Sequence, residues 1–146
     1  MKENIDFTVK KPPAEAFAAL TDLDMMIKFG EDPKSPVKMR ATRVDGRPKN
    51  GLGSAVDLTV QGAGQSMRME TVEWDPPKRC VRKLESPDLT AVVAFDFKEH
   101  PEGSLVTAEL TIEAKSLLFK MMLPVLAKKI ASEKLKLADK MKEGLA

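Results

Sequence analysis

The stretch that decides the fold is residues 116–145, which read SLLFKMMLPVLAKKIASEKLKLADKMKEGL. Apolar residues recur there at the spacing of one helix face. The predicted stripe consists of Leu118, Phe119, Met122, Val125, Leu126 and Ile130. Pro124 lies inside the stretch and predicts a bend, because a proline cannot donate its backbone hydrogen bond to the preceding turn. The sequence therefore predicts one long closing helix with an apolar side.

The residues before this helix alternate between apolar and polar, as half-buried strands do. Strands are predicted at 5–9, 37–41, 54–60, 67–74, 79–84, 89–97 and 105–113, and short helices at 14–20 and 23–29. Turn residues such as Asp75-Pro76-Pro77 separate the strands, which favours an antiparallel meander. A terminal helix that follows such a meander has to pack across the sheet, and we expect a hydrophobic cavity between the two.

Length and composition are typical of one globular domain. The chain has 146 residues, of which 42% are hydrophobic and 32% charged, and no repeat or linker divides it, so we expect a single domain over residues 1–146. The 24 basic residues nearly balance the 22 acidic ones, which disfavours a dedicated nucleic-acid binder.

The sequence also predicts a cytoplasmic location. No stretch has the pattern of a signal peptide or the length of a transmembrane segment. Cys80 is the one cysteine, so an intrachain disulfide is impossible and a reducing compartment is favoured. Whether the protein is a monomer or a homodimer is left open.

Three stretches follow one another in a recognisable order. They are the strand and helix of residues 7–17, the strand–turn–strand of residues 72–79 with its Asp75-Pro76-Pro77 turn, and the terminal helix with Pro124. Together they resemble the START-like superfamily, also called SRPBCC, and within it the polyketide cyclase/dehydrase and lipid-transport group. The resemblance covers essentially the whole chain. It implies an α+β helix-grip fold, in which a curved antiparallel sheet of about seven strands wraps around the long C-terminal helix, with two short helices after the first strand.

The resemblance is specific for the fold and not for the function. Members of the superfamily include lipid carriers, ligand sensors, coenzyme Q-binding proteins, cyclases and chaperone-activating modules, so the function has to be argued from the site.

Residues for metal or covalent chemistry are scarce. One histidine, His100, and one cysteine cannot make a typical zinc site. The glycine pairs at 51–53 and 62–64 precede strands and are interpreted as turns, not as a nucleotide-binding loop. We therefore predict no metal, no cofactor and no catalytic residue.

Charged residues inside the strands are the remaining candidates for acid–base chemistry. Alternation places four of them away from the apolar face: Asp57, Arg68, Glu70 and Asp96. Arg82 is different, because it shares a face with Cys80 and Leu84. An inward Arg82 would bind a ligand carboxylate or phosphate. In the alternative interpretation it lies at the edge of the sheet or pairs with a surface carboxylate.

The strand faces and the closing helix together define an expected ligand cavity. Its predicted lining is Leu58, Met67, Met69, Val93, Phe95, Leu110, Met122 and Leu126. Phe29 would stand at the entrance and Trp74 at one end, with Arg82 as the polar member. Phe29 and Trp74 are alternatively simple packing residues.

Three functions are compatible with these features. The leading hypothesis is a carrier or binder of a small hydrophobic ligand, such as a lipid, a polyketide or an isoprenoid-like molecule. The second is a cyclase or aromatase, which requires inward polar groups. The third is a protein-interaction module, which would show a filled core and an exposed apolar patch.

Overall fold

The computed structural model describes residues 1–31, 39–60 and 66–143. It contains the strands β1 (Lys2–Val9), β2 (Met39–Arg43), β3 (Ala55–Val60), β4 (Ser66–Asp75), β5 (Arg79–Glu85), β6 (Leu89–His100) and β7 (Gly103–Ala114). The helices are α1 (Pro13–Leu20), α2 (Leu23–Glu31) and α3 (Leu117–Glu143). Parts of three predicted elements lie outside the described residues: the start of the strand at 37–41, the turn at 62–64 and the helix end at 144–145.

The strands form one antiparallel sheet in the order β1-β7-β6-β5-β4-β3-β2. Strands β2 to β7 follow one another as hairpins, and β1 closes against β7. With the three helices this is the α+β helix-grip arrangement, so the predicted fold class is confirmed. Strand β4 departs from regular pairing by a bulge between Thr71 and Glu73.

The short helices begin within one residue of their predicted starts, but α2 continues through Gly30 to Glu31, two residues beyond its predicted end. Pro13 opens α1, where the missing N–H has no helical partner to lose. The Asp22 carboxylate accepts a hydrogen bond from the backbone N–H of Asp24 at 2.9 Å and so caps the first turn of α2. Two residues therefore suffice to turn the chain from α1 into α2.

The sheet has an apolar inner face, defined here as the face that carries Phe7, Val56 and Val106 and packs against the helices. Helix α1 packs on β6 and β7, and α2 packs on β2. The Phe17 ring of α1 meets Trp74 and Phe97 edge to face, with centroids 4.9 and 5.2 Å apart. This aromatic contact fixes α1 on the sheet.

Helix α3 is attached mainly by its second half. It packs on β1 and β7, and Ala138 is buried in the same cluster as Phe7 and Phe17. The Lys134 ammonium lies 2.9 Å from the Glu3 carboxylate of β1. Within the described ranges, no helix is long and apolar enough to cross a membrane.

The predicted apolar stripe of α3 is only partly correct. Phe119, Leu126 and Ile130 are half-buried, but Leu118, Met122 and Val125 are exposed. The prediction failed for these three because the first half of α3 carries apolar residues on more than one side, and only one side can meet the sheet.

Replacing Phe17 by alanine should lower the free energy of unfolding by about 3–5 kcal/mol, because the ring is buried and a cavity would remain beside Trp74 and Phe97. Urea denaturation followed by Trp74 fluorescence measures this change. Leu52→Ala is the control, since Leu52 is exposed and should change stability by no more than about 0.5 kcal/mol. Equal losses in the two variants would contradict the packing described.

Candidate functional site

The register of the central strands brings the predicted strand residues of the site onto the inner face. Arg82 is paired with Val93, and Val93 with Leu110, so these three side chains form a row across β5, β6 and β7. Phe95 lies two residues along β6 on the same face. On the other side of the row, the pairs Leu58–Met67 and Met69–Leu84 extend the face across β3, β4 and β5.

These residues differ in how well they are covered. Leu58 and Met69 are buried in a cluster with Leu23 of α2. Val93 and Leu110 are half-buried, although they lie in the middle of the inner face. Met67 and Phe95 are half-buried as well. The centre of the inner face is therefore apolar and incompletely covered.

Trp74 belongs to the aromatic contact at one end of this face. Its ring packs edge to face on Phe17, and its indole lies 3.8 Å from the position that a Cβ of Gly51 would take. Gly51 has a positive φ of 91°, so its backbone conformation favours glycine there. The arrangement gives Trp74 a packing role between α1 and the loop before β3.

Arg82 is 3% exposed and lies on the inner face, between β4 and β6. The interpretation that placed it at an edge or against a surface carboxylate is therefore wrong. Burying a guanidinium is costly unless its hydrogen bonds are made, and here backbone and hydroxyl oxygens accept them. Arg82 Nη2 donates to the Thr21 carbonyl at 2.6 Å and Nε donates to Thr71 Oγ1 at 3.1 Å.

The hydrogen bonds of Arg82 continue into a buried polar chain. Thr71 Oγ1 lies 2.8 Å from Ser54 Oγ, which in turn donates to the Gly51 carbonyl at 2.7 Å. The Thr21 carbonyl is at the C-terminus of α1, where helix carbonyls lack an intrahelical donor and attract positive charge. Arg82 thus links the α1–α2 junction to the bulged strand β4.

Burial is the largest influence on the pKa values of Arg82 and Cys80. It lowers the pKa of the Arg82 guanidinium from its ordinary value, while the electrostatic interactions with Cys80 and Asp22 act in the opposite sense. Burial also raises the pKa of the Cys80 thiol. Among the described residues Arg82 forms no ion pair with a carboxylate, and its Nη1 has no hydrogen-bond partner there.

The strand carboxylates lie on the outer face, as alternation predicts. Arg68 Nε is 2.9 Å from Asp57, and Arg79 Nη1 is 2.8 Å from Asp96. Glu70 pairs with Arg47. Hydrogen bonding from Arg68 holds the pKa of Asp57 below its ordinary value. These groups are paired with arginines and directed away from the inner face.

For the predicted lining residues that come from helices, the structure gives less information than for those on the strands. Leu126 is half-buried on the side of α3 that faces the sheet, and Met122 is half exposed. Phe29 lies in α2, but its side chain is outside the described part of the structure. Their participation in a cavity stays a prediction.

An open groove of about 480 Å³ lies elsewhere, at the end of the sheet where α1 begins. It is lined by Pro13, Pro77, Lys78, Asp96, Phe97, Lys98 and Glu99. None of the predicted ligand residues contributes to it. In the described ranges, no three residues of the His, Cys, Asp and Glu types come together as metal ligands.

Comparison with known proteins identifies the family. Residues 4–145 match the family described as polyketide cyclase / dehydrase and lipid transport, and the chain belongs to it. The superfamily inferred from the sequence is therefore confirmed. No curated protein matches the chain.

Solved structures share the fold at low sequence identity. The protein TTHA0849 from Thermus thermophilus has a TM-score of 0.72 at 16% identity, with 99% of this chain and 97% of that chain covered. A protein of unknown function from Staphylococcus aureus, SA2116, has a TM-score of 0.70 at 13% identity, with coverage of 99% and 93%. Ms6760 from Mycobacterium smegmatis has a TM-score of 0.66 at 16% identity, with coverage of 99% and 90%. These similarities establish the fold alone.

Sequence reasoning missed the polar partners of Arg82. Thr21, Ser54 and Thr71 are all almost fully buried, yet each belongs to a residue type that is usually exposed. One sign was available: Thr71 follows Met67 and Met69 on the inward phase of β4, where an apolar residue is expected. The other two members of the buried polar chain, Thr21 at the end of α1 and Ser54 before β3, could not be inferred, because they lie far from Arg82 in the sequence.

Thr71→Val should lower the free energy of unfolding by about 1–3 kcal/mol, because Arg82 Nε and Ser54 Oγ each lose a buried partner while the side-chain volume is kept. Urea denaturation measures the loss. Thr59→Val on the exposed side of β3 is the matched control and should lie within about 0.5 kcal/mol of the parent. A Thr71→Val protein as stable as the parent would show that these hydrogen bonds contribute nothing.

Cys80 should resist thiol reagents in the folded protein, because it is fully buried and its raised pKa keeps it protonated. Labelling with 5,5′-dithiobis(2-nitrobenzoate) near pH 8 should be far slower than in the urea-unfolded chain. The pKa of the Cys80 thiol is higher in the folded than in the unfolded chain, so the neutral thiol contributes to the free energy of unfolding. This contribution is fully present below about pH 8.5 and is lost as the pH rises towards the folded-state pKa. Labelling at the unfolded rate would contradict the burial of Cys80.

Proposed function

We propose that the protein binds or carries a small hydrophobic ligand, such as a lipid, a polyketide or an isoprenoid-like molecule, between the inner face of the sheet and α3. One observation carries the proposal. Val93 and Leu110 are apolar, central and only half-buried, whereas a filled core would bury them completely.

The placement of α3 supports the same conclusion. The helix packs on β1 and β7 at one side of the sheet, and its buried anchor, Ala138, lies in its second half. The residues of its first half are at most half-buried, as Phe119 and Leu126 are, and strand β6 carries the half-buried Val93 and Phe95 on the inner face. An apolar ligand placed there would bury the apolar surface that the protein itself leaves half-covered.

Arg82 adds a polar feature to the proposed ligand. Its guanidinium is buried beside Val93, has no carboxylate partner among the described residues and keeps Nη1 available. A guanidinium binds carboxylates and phosphates well and does not give up its proton near neutral pH. Arg82 is therefore better suited to holding an anionic end of an amphiphilic ligand than to proton transfer in a cyclase. The carboxylates that a cyclase would use for that step, Asp57, Glu70 and Asp96, lie on the outer face.

We further infer that residues 1–146 act as one domain in the cytoplasm. The sheet is continuous from β1 to β2, and the single thiol is buried and reduced, as suits a reducing compartment.

The proposal predicts that filling the inner face will exclude a ligand. Val93→Trp should raise the dissociation constant of the uncharged fluorescent probe N-phenyl-1-naphthylamine by about tenfold or more, because the indole would occupy the half-covered space. Fluorescence titration of the purified protein measures this.

Val92→Trp is the matched control, since Val92 is the next residue on β6 and faces outward with Thr111. It should change the dissociation constant by less than about twofold. The parent protein should also retain apolar molecules after incubation with a total lipid extract, detectable by mass spectrometry. No probe binding and no retained molecule would overturn the proposed function, and equal effects of the two tryptophans would place the ligand elsewhere.

A further inference from the structure

The first half of α3 exposes a group of large apolar side chains, which we call the α3 patch. It consists of Leu117, Leu118, Met121, Met122 and Val125, whose exposed fractions lie between 50% and 75%. Soluble proteins seldom leave so many large apolar side chains exposed side by side, and a contiguous patch of this kind usually marks a contact surface.

The patch lies on one side of the helix. At 3.6 residues per turn, Leu118, Met121 and Val125 project to one side, while Phe119 and Ile130 project towards the sheet and are half-buried. Apart from Met122, which lies between the two sides, the patch is additional to the side of α3 that packs on the protein, and closing α3 onto the sheet would not cover it.

Positive charge surrounds the patch. From residue 114 to residue 132 the chain contains the four lysines Lys115, Lys120, Lys128 and Lys129 and no aspartate or glutamate. All four lysines are exposed. Lys128 and Lys129 follow Val125 on the same side of the helix, and in the described part of the chain Lys120, Lys128 and Lys129 form no ion pair. The outer face of the sheet differs, because its charges are paired with opposite charges.

We propose that the α3 patch docks the protein onto the surface of an anionic phospholipid bilayer. The apolar side chains would enter the boundary between headgroups and acyl chains with the helix lying in the plane of the surface. The lysines would reach the phosphate groups while their aliphatic stems stay beside the apolar residues. The two methionines suit such a contact, because their flexible side chains adapt to an irregular surface.

A second copy of the chain fits this surface less well. A symmetric contact places the same patch on both partners, so the lysines of one copy would approach the lysines of the other without a carboxylate between residues 114 and 132. An anionic lipid surface supplies the opposite charge over its whole area. Charge complementarity therefore selects the bilayer.

Sedimentation with lipid vesicles tests this proposal. The full chain should bind vesicles of equal parts phosphatidylcholine and phosphatidylglycerol, and should bind phosphatidylcholine vesicles at least about tenfold more weakly. Binding should weaken as the ionic strength rises from about 0.1 M to about 1 M, because salt screens the lysines.

Two pairs of variants separate the patch from the rest of the surface. Met121→Asp should reduce binding at least about tenfold, whereas Leu52→Asp, which replaces a similarly exposed apolar residue in the loop before β3, should leave binding nearly unchanged. Lys128→Glu should weaken binding in the same way, whereas Lys98→Glu on β6 changes the net charge equally and should have little effect. All four sites are exposed, and circular dichroism verifies that each variant is folded.

The remaining outcomes decide against the proposal. Equal binding to neutral and anionic vesicles, or equal losses in Met121→Asp and Leu52→Asp, would overturn it. A parent protein that ignores vesicles but forms a dimer in light scattering, with the dimer lost in Met121→Asp, would assign the patch to a second copy instead. The proposal stands apart from the ligand cavity, because Val93→Trp should abolish probe binding and leave vesicle binding intact.

Discussion

Seven antiparallel strands in one open sheet leave a single apolar face, and three helices have to cover it. Each helix meets a different part of this face: α1 holds β6 and β7 through Phe17, α2 holds β2, and α3 lies along β1 and β7. The helices contact the two ends and one side of the inner face of the sheet. Its centre, around Val93 and Leu110, therefore stays half-covered. The inner face is incompletely covered because of the number and placement of the helices. The proposed ligand site depends on this feature.

The buried arginine shows how polar groups are accommodated beside that site. Arg82 satisfies the carbonyl at the end of α1 and the hydroxyl of Thr71, so one side chain joins the helical junction to the bulged strand. A buried charge of this kind is costly unless its hydrogen bonds are made, and here the known partners are neutral. In the proposed function, the remaining positive charge would favour an amphiphile over a pure hydrocarbon.

Helix α3 has two apolar sides with different surroundings. One side, with Leu126 and Ile130, faces the sheet, and the second half of the helix is anchored by Ala138 and by the contact between Lys134 and Glu3. The other side carries the α3 patch and its lysines. A helix that is apolar on both sides can contact the protein and a second apolar phase at the same time. Such an arrangement would place the proposed membrane surface next to the proposed ligand site.

The sequence by itself determined the order of the elements and the inner and outer faces of the strands, because alternation, turn residues and helical spacing are local properties. It also indicated the family, through the resemblance of three stretches in their order. Asp57 and Asp96 were assigned to the outer face, and Leu58 and Met69 to the inner face, for this reason alone. The sequence did not determine the place of Arg82, since its partners Thr21 and Thr71 come from distant segments. Nor did it show that Leu118 and Val125 would be exposed, because helical spacing identifies apolar residues without saying which side meets the sheet. Those points were decided by the tertiary structure, in which the anchoring of α1 and α3 fixes what each face of the sheet and of the closing helix can reach.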